Sequence, residues 1–375
     1  MNYYIIAGEA SGDLHASNLI NQLKVLDKQA DFRCWGGDLM EKQGAHIVKH
    51  YRDLAFMGFT EVLMNIRTIL QNIEFCKKDI LDYKPDVLIL IDYPGFNLRI
   101  AEFAKSKNIR VFYYISPQVW AWKQSRVHKI KHVVDKMFVI LPFEKEFYKK
   151  FDYAVDFVGH PLLDAVAGYE AQADQPVIDT NLPIIALLPG SRKQEINTML
   201  PLMLKMQKYY PHHQFVIAAA PSQSEKLYQM HINACEQQHP DIHPVKMVFN
   251  QTYPLLKQAT AALVTSGTAT LETALFGVPE VVCYKGGAIS FAIAKKLVKV
   301  DYISLVNLIM NREIVKELIQ SDLNEINLKK ELDKLLEGNF RKKMMSDYED
   351  LRKCLGGAGA SRKTAELMIS YLTDK

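Results

Sequence analysis

Several devices that would assign a chain to a class at once are missing from this sequence. Its five cysteines, Cys34, Cys76, Cys235, Cys283 and Cys354, are odd in number and scattered, with no CxxC pair. A disulfide frame or a cysteine zinc site is therefore a poor fit, and reduced cytosolic thiols a good one. No apolar stretch approaches the ~20 residues that cross a bilayer. The opening "MNYYIIAGEASGD" has no basic region followed by a long apolar run, so no signal peptide is expected. The expected location is the cytoplasm, with contact to a membrane surface still allowed. Charge of one sign is also lacking: 46 Lys and Arg against 42 Asp and Glu leave +4. That is too little to argue for nucleic acid, so any basic effect must come from local clustering.

Two catalytic signatures are absent as well. Ser266 stands between Thr265 and Gly267, so the GxSxG elbow of a serine hydrolase is not there. "GEASGD" (8–13) is not GxGxxG, which leaves a nicotinamide dinucleotide site poorly supported.

What is present is a series of short apolar runs, each ending in small or polar residues. "YYIIA", "DVLILID", "RVFYYIS", "KMFVIL" and "VDFVGH" occupy the first half, and "IIALLPGSR", "QFVIAAAP", "KMVFN", "AALVTSGT" and "PEVVCY" the second. Runs of this length and composition suit strands buried on both faces. Amphipathic stretches such as "LHASNLINQLKVL" lie between them, which predicts an α/β fold with parallel sheets. With 375 residues, and with weak periodicity from Ala165 to Pro183, two doubly wound Rossmann-like domains are expected. They run over about 1–165 and 183–340, facing across a cleft, and 341–375 forms a helical tail that packs back toward an N-terminal domain. Ligands in such sheets bind beyond the carboxyl ends of strands, and the polar clusters fall there.

Each cluster has a functional reading and a plainer one. Ser11, in the first glycine turn, lines a phosphate or sugar site, or it and Asp13 cap a helix. Asp92, at the tip of the second strong strand, is a candidate general base, or it bonds the turn made by Pro94 and Gly95. Lys123 and Arg126 share a predicted helical face with Lys129 and His132, just after Trp120 and Trp122. That face suits an anionic headgroup or substrate, or is simply solvated. Ser191 and Arg192 open the second domain and could take a diphosphate. Gly267 and Thr268 start a helix whose N–H groups suit an anion, with Glu272 placed to accept from a sugar diol. A Ser or Thr cap with Glu272 in a capping box explains the same residues. Finally, Phe56, Met57 and Phe59 crowd the segment Leu54–Leu70, as in a helix resting on lipid or in an ordinary core helix.

Taken together and in order, nine stretches resemble lipid-A-disaccharide synthase, a family of inverting GT-B glycosyltransferases. They are "AGEASGDLHA", "LAFMGFTEVL", "LIDYPGFN", "YYISPQVWAWKQSRVHKI", "LPFEKEFY", "FVGHPLLDA", "LLPGSRKQEI", "SGTATLETAL" and "KVDYISLVNLI". The resemblance implies that UDP-2,3-diacylglucosamine donates its sugar to the 6-hydroxyl of 2,3-diacylglucosamine 1-phosphate. The products are UDP and the β(1→6) lipid A disaccharide of lipopolysaccharide. It also implies Asp92 as the essential carboxylate, and Ser11 lining a substrate site. Arg192 and Gly267–Thr268 would lie on the diphosphate, Glu272 on the nucleoside side and Asn307 near the donor. No metal or other cofactor is implied. The inner-membrane surface is an expected partner, nucleic acid is not, and a homodimer is compatible. Three departures are visible: Gly95 where the family often has Asp, Lys285 where it often has Arg, and Val306 where Pro is usual. The rival readings are another UDP-N-acetylglucosamine enzyme, transferase or epimerase, and a non-catalytic lipid or nucleotide carrier.

Overall fold

The run Val87–Ile91 is buried at every position and lies at the centre of a parallel sheet. That is where a continuous apolar strand belongs, because both faces are covered and no alternation is needed. The computed structural model describes residues 1–54, 66–170, 176–238, 243–287 and 301–373. The chain divides into two compact units, Met1–Asp164 together with Leu355–Lys375, and Ala165–Cys354.

The first unit holds seven parallel strands in the order β3-β2-β1-β4-β5-β6-β7. These are β1 (Asn2–Ala7), β2 (Asp31–Gly36), β3 (His46–His50), β4 (Val87–Ile91), β5 (Arg110–Tyr114), β6 (Lys136–Val139) and β7 (Asp156–Phe157). The order reverses between β1 and β4, the switch point at which such sheets open a crevice for ligands. Ala7 pairs with Ile91 and Ile91 with Tyr114. The residues just beyond these, Gly8, Asp92 and Ile115, therefore line up along one edge.

The second unit repeats the plan with six parallel strands, β10-β9-β8-β11-β12-β13. They are β8 (Ile184–Leu188), β9 (Gln214–Ala219), β10 (Lys246–Phe249), β11 (Ala259–Thr265), β12 (Glu280–Tyr284) and β13 (Lys316–Ile319). Its switch point lies between β8 and β11, where Leu188 pairs with Val264. "PGSR" and "SGT" follow there.

The expected tail from 341 is divided between the units. The helix Asn339–Cys354 belongs to the second, and the helix Ala360–Thr373 packs on Ala10–Leu26 in the first. Asp164 holds that last helix by its start, accepting from the Ser361 N–H (2.8 Å) and from the Gly359 N–H. Near its end the Tyr371 hydroxyl donates to Asp156 (3.0 Å).

One core residue works against stability. Glu280, at the start of β12, is fully buried, and neither carboxylate oxygen has a hydrogen-bond partner among the described residues. Burial pushes its carboxyl well above the usual carboxylate range. The folded pKa is raised, so the folded state keeps a proton that the unfolded chain releases above its own pKa of ~4.3. Stability is therefore lost as pH rises from there. Glu280→Met is expected to raise the urea midpoint, by about 1–3 kcal/mol of stability at pH 8 and by less at pH 5. A lowered midpoint at pH 8 would contradict this account.

Candidate active site

In the first unit the chain leaves β4 in an unusual way. Asp92 and Tyr93 both adopt left-handed backbone, at φ 42° and 48°, and across the sheet edge Ile115 does the same at φ 64°. A β-branched residue there is strained, and such strain persists only where the surroundings dictate it. The surroundings here are specific. The buried Asn97 side chain donates to the carbonyls of Asp92 (2.7 Å) and Ile91 (3.2 Å). The Tyr113 hydroxyl donates to the same Asp92 carbonyl, and the Asp92 N–H donates to the Ile115 carbonyl (3.3 Å). The Tyr93 ring stacks on Phe96, with centroids 5.7 Å apart, and passes over Gly8. A Cβ at Gly8 would stand 2.4 Å from that ring, so the close approach requires glycine.

The Asp92 carboxyl reaches solvent, yet protein surrounds it closely. Its pKa is pushed up to about 7, first by that desolvation and then by the Glu9 carboxylate, against the pull of the Tyr93 N–H. Glu9 occupies the N-cap position of the helix Ala10–Leu26, without a side-chain capping bond, just past β1 and adjacent to β4. Within "GEASGD" it is this acid, rather than a glycine or the serine, whose charge bears on Asp92. The available signal was that Glu9 and Asp92 each follow an apolar run of the kind that pairs at a switch point.

Ser11 is exposed in the first turn of the Ala10–Leu26 helix. Neither Ser11 nor Asp13 is the cap. Asp13 instead reaches the next turn and accepts from the N–H groups of Gly37 (2.8 Å), Leu39 (3.1 Å) and Met40 (3.2 Å).

The single basic helix expected around Lys123 and Arg126 is two pieces. Val119–Trp122 closes with the Lys123 N–H donating to the Val119 carbonyl (3.2 Å), and a new helix runs Arg126–Val133. Lys123 therefore stands exposed in the joint. Lys129 pairs with Glu102 (2.7 Å), and Trp120 is buried edge-on against Phe143 rather than presented at a surface. Burial pushes the Tyr113 hydroxyl up, the Asp92 charge adds to that push, and the Arg126 charge opposes it. Phe56, Met57 and Phe59 lie outside the described residues. A Cβ at Gly95 meets nothing within 4 Å, so the acid often found there in the family would have room.

In the second unit the turn after β8 bends at Gly190 (φ 101°), where a Cβ would stand 2.5 Å from Glu195. Glu195 accepts from the N–H groups of Ser191 (3.1 Å) and Arg192 (3.2 Å) and pairs with the Arg192 guanidinium (2.9 Å). Ser191 and Arg192 are both exposed. An exposed pair of this kind is worth about 1 kcal/mol or less, so a phosphate can compete for the guanidinium.

The hydroxyls beyond β11 divide their work. Gly267 caps the helix Thr268–Leu275, and both Gly267 and Thr268 are exposed. Thr270 donates back to the Gly267 carbonyl (2.9 Å), and Ser266 donates to the Ile303 carbonyl (3.1 Å). Ser266 is thus neither a cap nor an outward hydroxyl. Glu272 forms no capping box. It accepts from the Tyr253 hydroxyl (3.1 Å), and burial raises its pKa above the ordinary value. Tyr253 packs in turn on Phe276 and Tyr169, with centroids 5.0 and 5.9 Å away. The Thr270 N–H is taken by the Gly267 carbonyl (3.2 Å), and the N–H groups of Thr268 and Ala269 ahead of it have no carbonyl of their own helix to reach, so the Thr268 end can receive an anion.

Asn307, which the resemblance puts near the donor, is held firmly by its surroundings. Its side chain is fully buried, accepting from the N–H groups of Ile314 (2.7 Å) and Val315 (3.0 Å) and donating to the Val315 carbonyl and Glu317 (both 2.9 Å). The hydrogen bonds its amide can make are taken by Ile314, Val315 and Glu317. Val306 is likewise buried, and Lys285 is exposed just past β12. Among the described residues, no group of three or more His, Cys, Asp or Glu side chains stands together as a metal site requires.

Comparison with known proteins gives the same direction throughout. The family described as lipid-A-disaccharide synthetase matches residues 3–369. A lipid-A-disaccharide synthase of Trichlorobacter lovleyi is 38% identical over 98% of this chain and 97% of its own. Another, from Legionella pneumophila, is 34% identical over 99% and 97%. Among solved structures, a UDP-GlcNAc 2-epimerase from Neisseria meningitidis bound to UDP-GlcNAc superposes with a TM-score of 0.67 at 14% identity, covering 99% of this chain and all of that one. The glycotransferase of kitacinnamycin matches with a TM-score of 0.67 at 12% identity over 99% of each chain. These likenesses establish the fold, two parallel-sheet α/β domains as in GT-B glycosyltransferases and UDP-GlcNAc 2-epimerases.

Proposed function

The chain belongs to the lipid-A-disaccharide synthase family, and we propose that it forms the lipid A disaccharide by one in-line displacement with Asp92 as general base. The 6-hydroxyl of diacylglucosamine 1-phosphate gives its proton to the Asp92 carboxylate, and its oxygen attacks the anomeric carbon of UDP-diacylglucosamine. The bond from that carbon to the diphosphate oxygen breaks, and its electron pair leaves with UDP. The observation that carries this reading is Asp92 itself: a carboxyl fixed by strained, doubly clamped backbone at a switch point, with a pKa near 7. A base tuned to the working pH is what proton abstraction from an alcohol favours.

On the second unit, Arg192, Ser191 and the Gly267–Thr268 helix start take the leaving-group charge, and no metal is required. One Glu272 oxygen is held by Tyr253, and the carboxylate is placed for the hydroxyls of the nucleoside. On the first unit, Ser11 serves a sugar, and Lys123 and Arg126 serve the acceptor phosphate.

The reaction is placed at the cytoplasmic face of the inner membrane, with the acyl chains left in the bilayer. No helix among the described residues is long and apolar enough to cross a membrane. The helix Ile66–Tyr83 carries exposed Leu70 and Phe75 beside exposed Arg67 and Lys78, a combination that suits a lipid surface. The test is a transfer assay in detergent with both diacylglucosamine substrates, following UDP release and disaccharide. No disaccharide with both substrates present sinks the proposal, and disaccharide formed only when both are supplied supports it.

A further inference from the structure

Ser266 is tied to a segment far away in sequence, and that segment hangs from a single carboxylate. Glu317, on β13, accepts from the Ile303 N–H (3.0 Å), the Ser304 N–H (2.9 Å), the Ser304 hydroxyl (2.8 Å) and the Asn307 side-chain amide (2.9 Å). Ser304 and Asn307 are both fully buried. The Ile303 carbonyl then receives the Ser266 hydroxyl at 3.1 Å. On its other side Ser266 is held by its own N–H, which donates to the Cys283 carbonyl (3.1 Å).

We infer that Glu317 is a positioning residue for the donor: through Ile303 and the Ser266 hydroxyl it fixes the turn that presents Gly267 and Thr268. This rests on the reading that the Gly267–Thr268 helix start receives the leaving diphosphate. An N–H seat stabilises developing charge only if it is already in place when the charge appears. Packing does not hold this turn from outside, since Gly267 and Thr268 are exposed and a Cβ at Gly267 meets nothing nearer than 4.0 Å. The tether must therefore come from within. A carboxylate suits the position because it only accepts, and all four of its partners here donate.

Three variants test this: Glu317→Gln, Ser266→Ala and Gly267→Val. UDP affinity is read by titration calorimetry, with KM for donor and acceptor measured separately. Glu317→Gln turns an N–H toward donors, and Ser266→Ala removes one hydroxyl. Each is expected to weaken UDP binding and raise the donor KM about tenfold or more. The acceptor KM should stay within about twofold, and the double variant should be no weaker than the weaker single, since both act through one link. If Glu317→Gln does not fold, Ser266→Ala carries the test. UDP binding within about twofold of the parent in folded Ser266→Ala, or an acceptor KM that rises equally, overturns the inference. Gly267→Val separates the two ideas, because its side chain covers the helix start while having room in the fold. Loss of UDP binding there with none in Ser266→Ala defeats the tether alone. Unchanged UDP binding in Gly267→Val defeats the donor seat itself.

Discussion

Asp92→Asn is expected to lower kcat by about 10²- to 10⁴-fold, the usual worth of a positioned base, in a protein that remains folded. Asparagine is chosen for a backbone reason. Asp92 sits at φ 42°, and asparagine tolerates that region better than most residues, whereas alanine would alter the strained turn along with the carboxylate. The clamp from Asn97 and Tyr113 grips the Asp92 carbonyl, not its side chain, so the substitution leaves it intact. With the folded pKa near 7, the base is ionised above that value and protonated below it. In the parent, kcat/KM should fall as pH drops through about 7 and level off above. The variant should lack that acidic limb. Residual activity within about tenfold of the parent, or an unchanged limb, would remove Asp92 as the base.

Gly8→Ala is expected to cost about 100-fold in kcat, although Gly8 makes no contact with substrate in the proposed mechanism. The added Cβ would lie 2.4 to 2.8 Å from three ring carbons of Tyr93. Those atoms include the ring carbon nearest the backbone, so the clash cannot be relieved at the far end of a flexible side chain. Tyr93 must move, and Asp92 precedes it in the same left-handed turn. A displacement of roughly 1 Å at a reacting group can cost about 100-fold, and overpacking of this kind costs about 1–3 kcal/mol of stability. Tyr93→Asn in the Gly8→Ala background removes the ring and keeps a residue suited to left-handed backbone. It should recover part of kcat, and a double-mutant cycle over the two positions reads the coupling. Gly8→Ala with kcat within about twofold of the parent would show that the ring contact does not place Asp92.

The sheets were legible because buried parallel strands leave continuous apolar runs, and Asp92 was legible because it directly follows one of them, Val87–Ile91. Gly267 and Thr268 could be read as a helix start for the same local reason. What stayed hidden depended on partners distant in sequence. The Ser266 hydroxyl meets a carbonyl 37 residues away, and Asp13 meets N–H groups more than 20 residues on. Asn307 was named by the resemblance alone, and no local pattern shows that Ile314, Val315 and Glu317 take the hydrogen bonds its side chain can make. The basic stretch misled in another way. Helical spacing put Lys123, Arg126 and Lys129 on one face, but the break at 123–125 and the Glu102 pair separate them. Glu9 was in plain view and went unread, since its effect on Asp92 needs the pairing of β1 with β4.

The division of the last helices between units fixes an order of events during synthesis. The second unit is one uninterrupted stretch, Ala165–Cys354, inserted into a first unit that is discontinuous in sequence. A growing chain can finish the inserted unit while the first still lacks Ala360–Thr373. Until that helix emerges, the Ala10–Leu26 helix has no cover where Thr364, Ala365 and Met368 later bury themselves, and Asp164 has no N–H groups to receive. The half of the protein made first is therefore the half completed last: the unit that carries the Asp92 turn closes only after the inserted unit has been made.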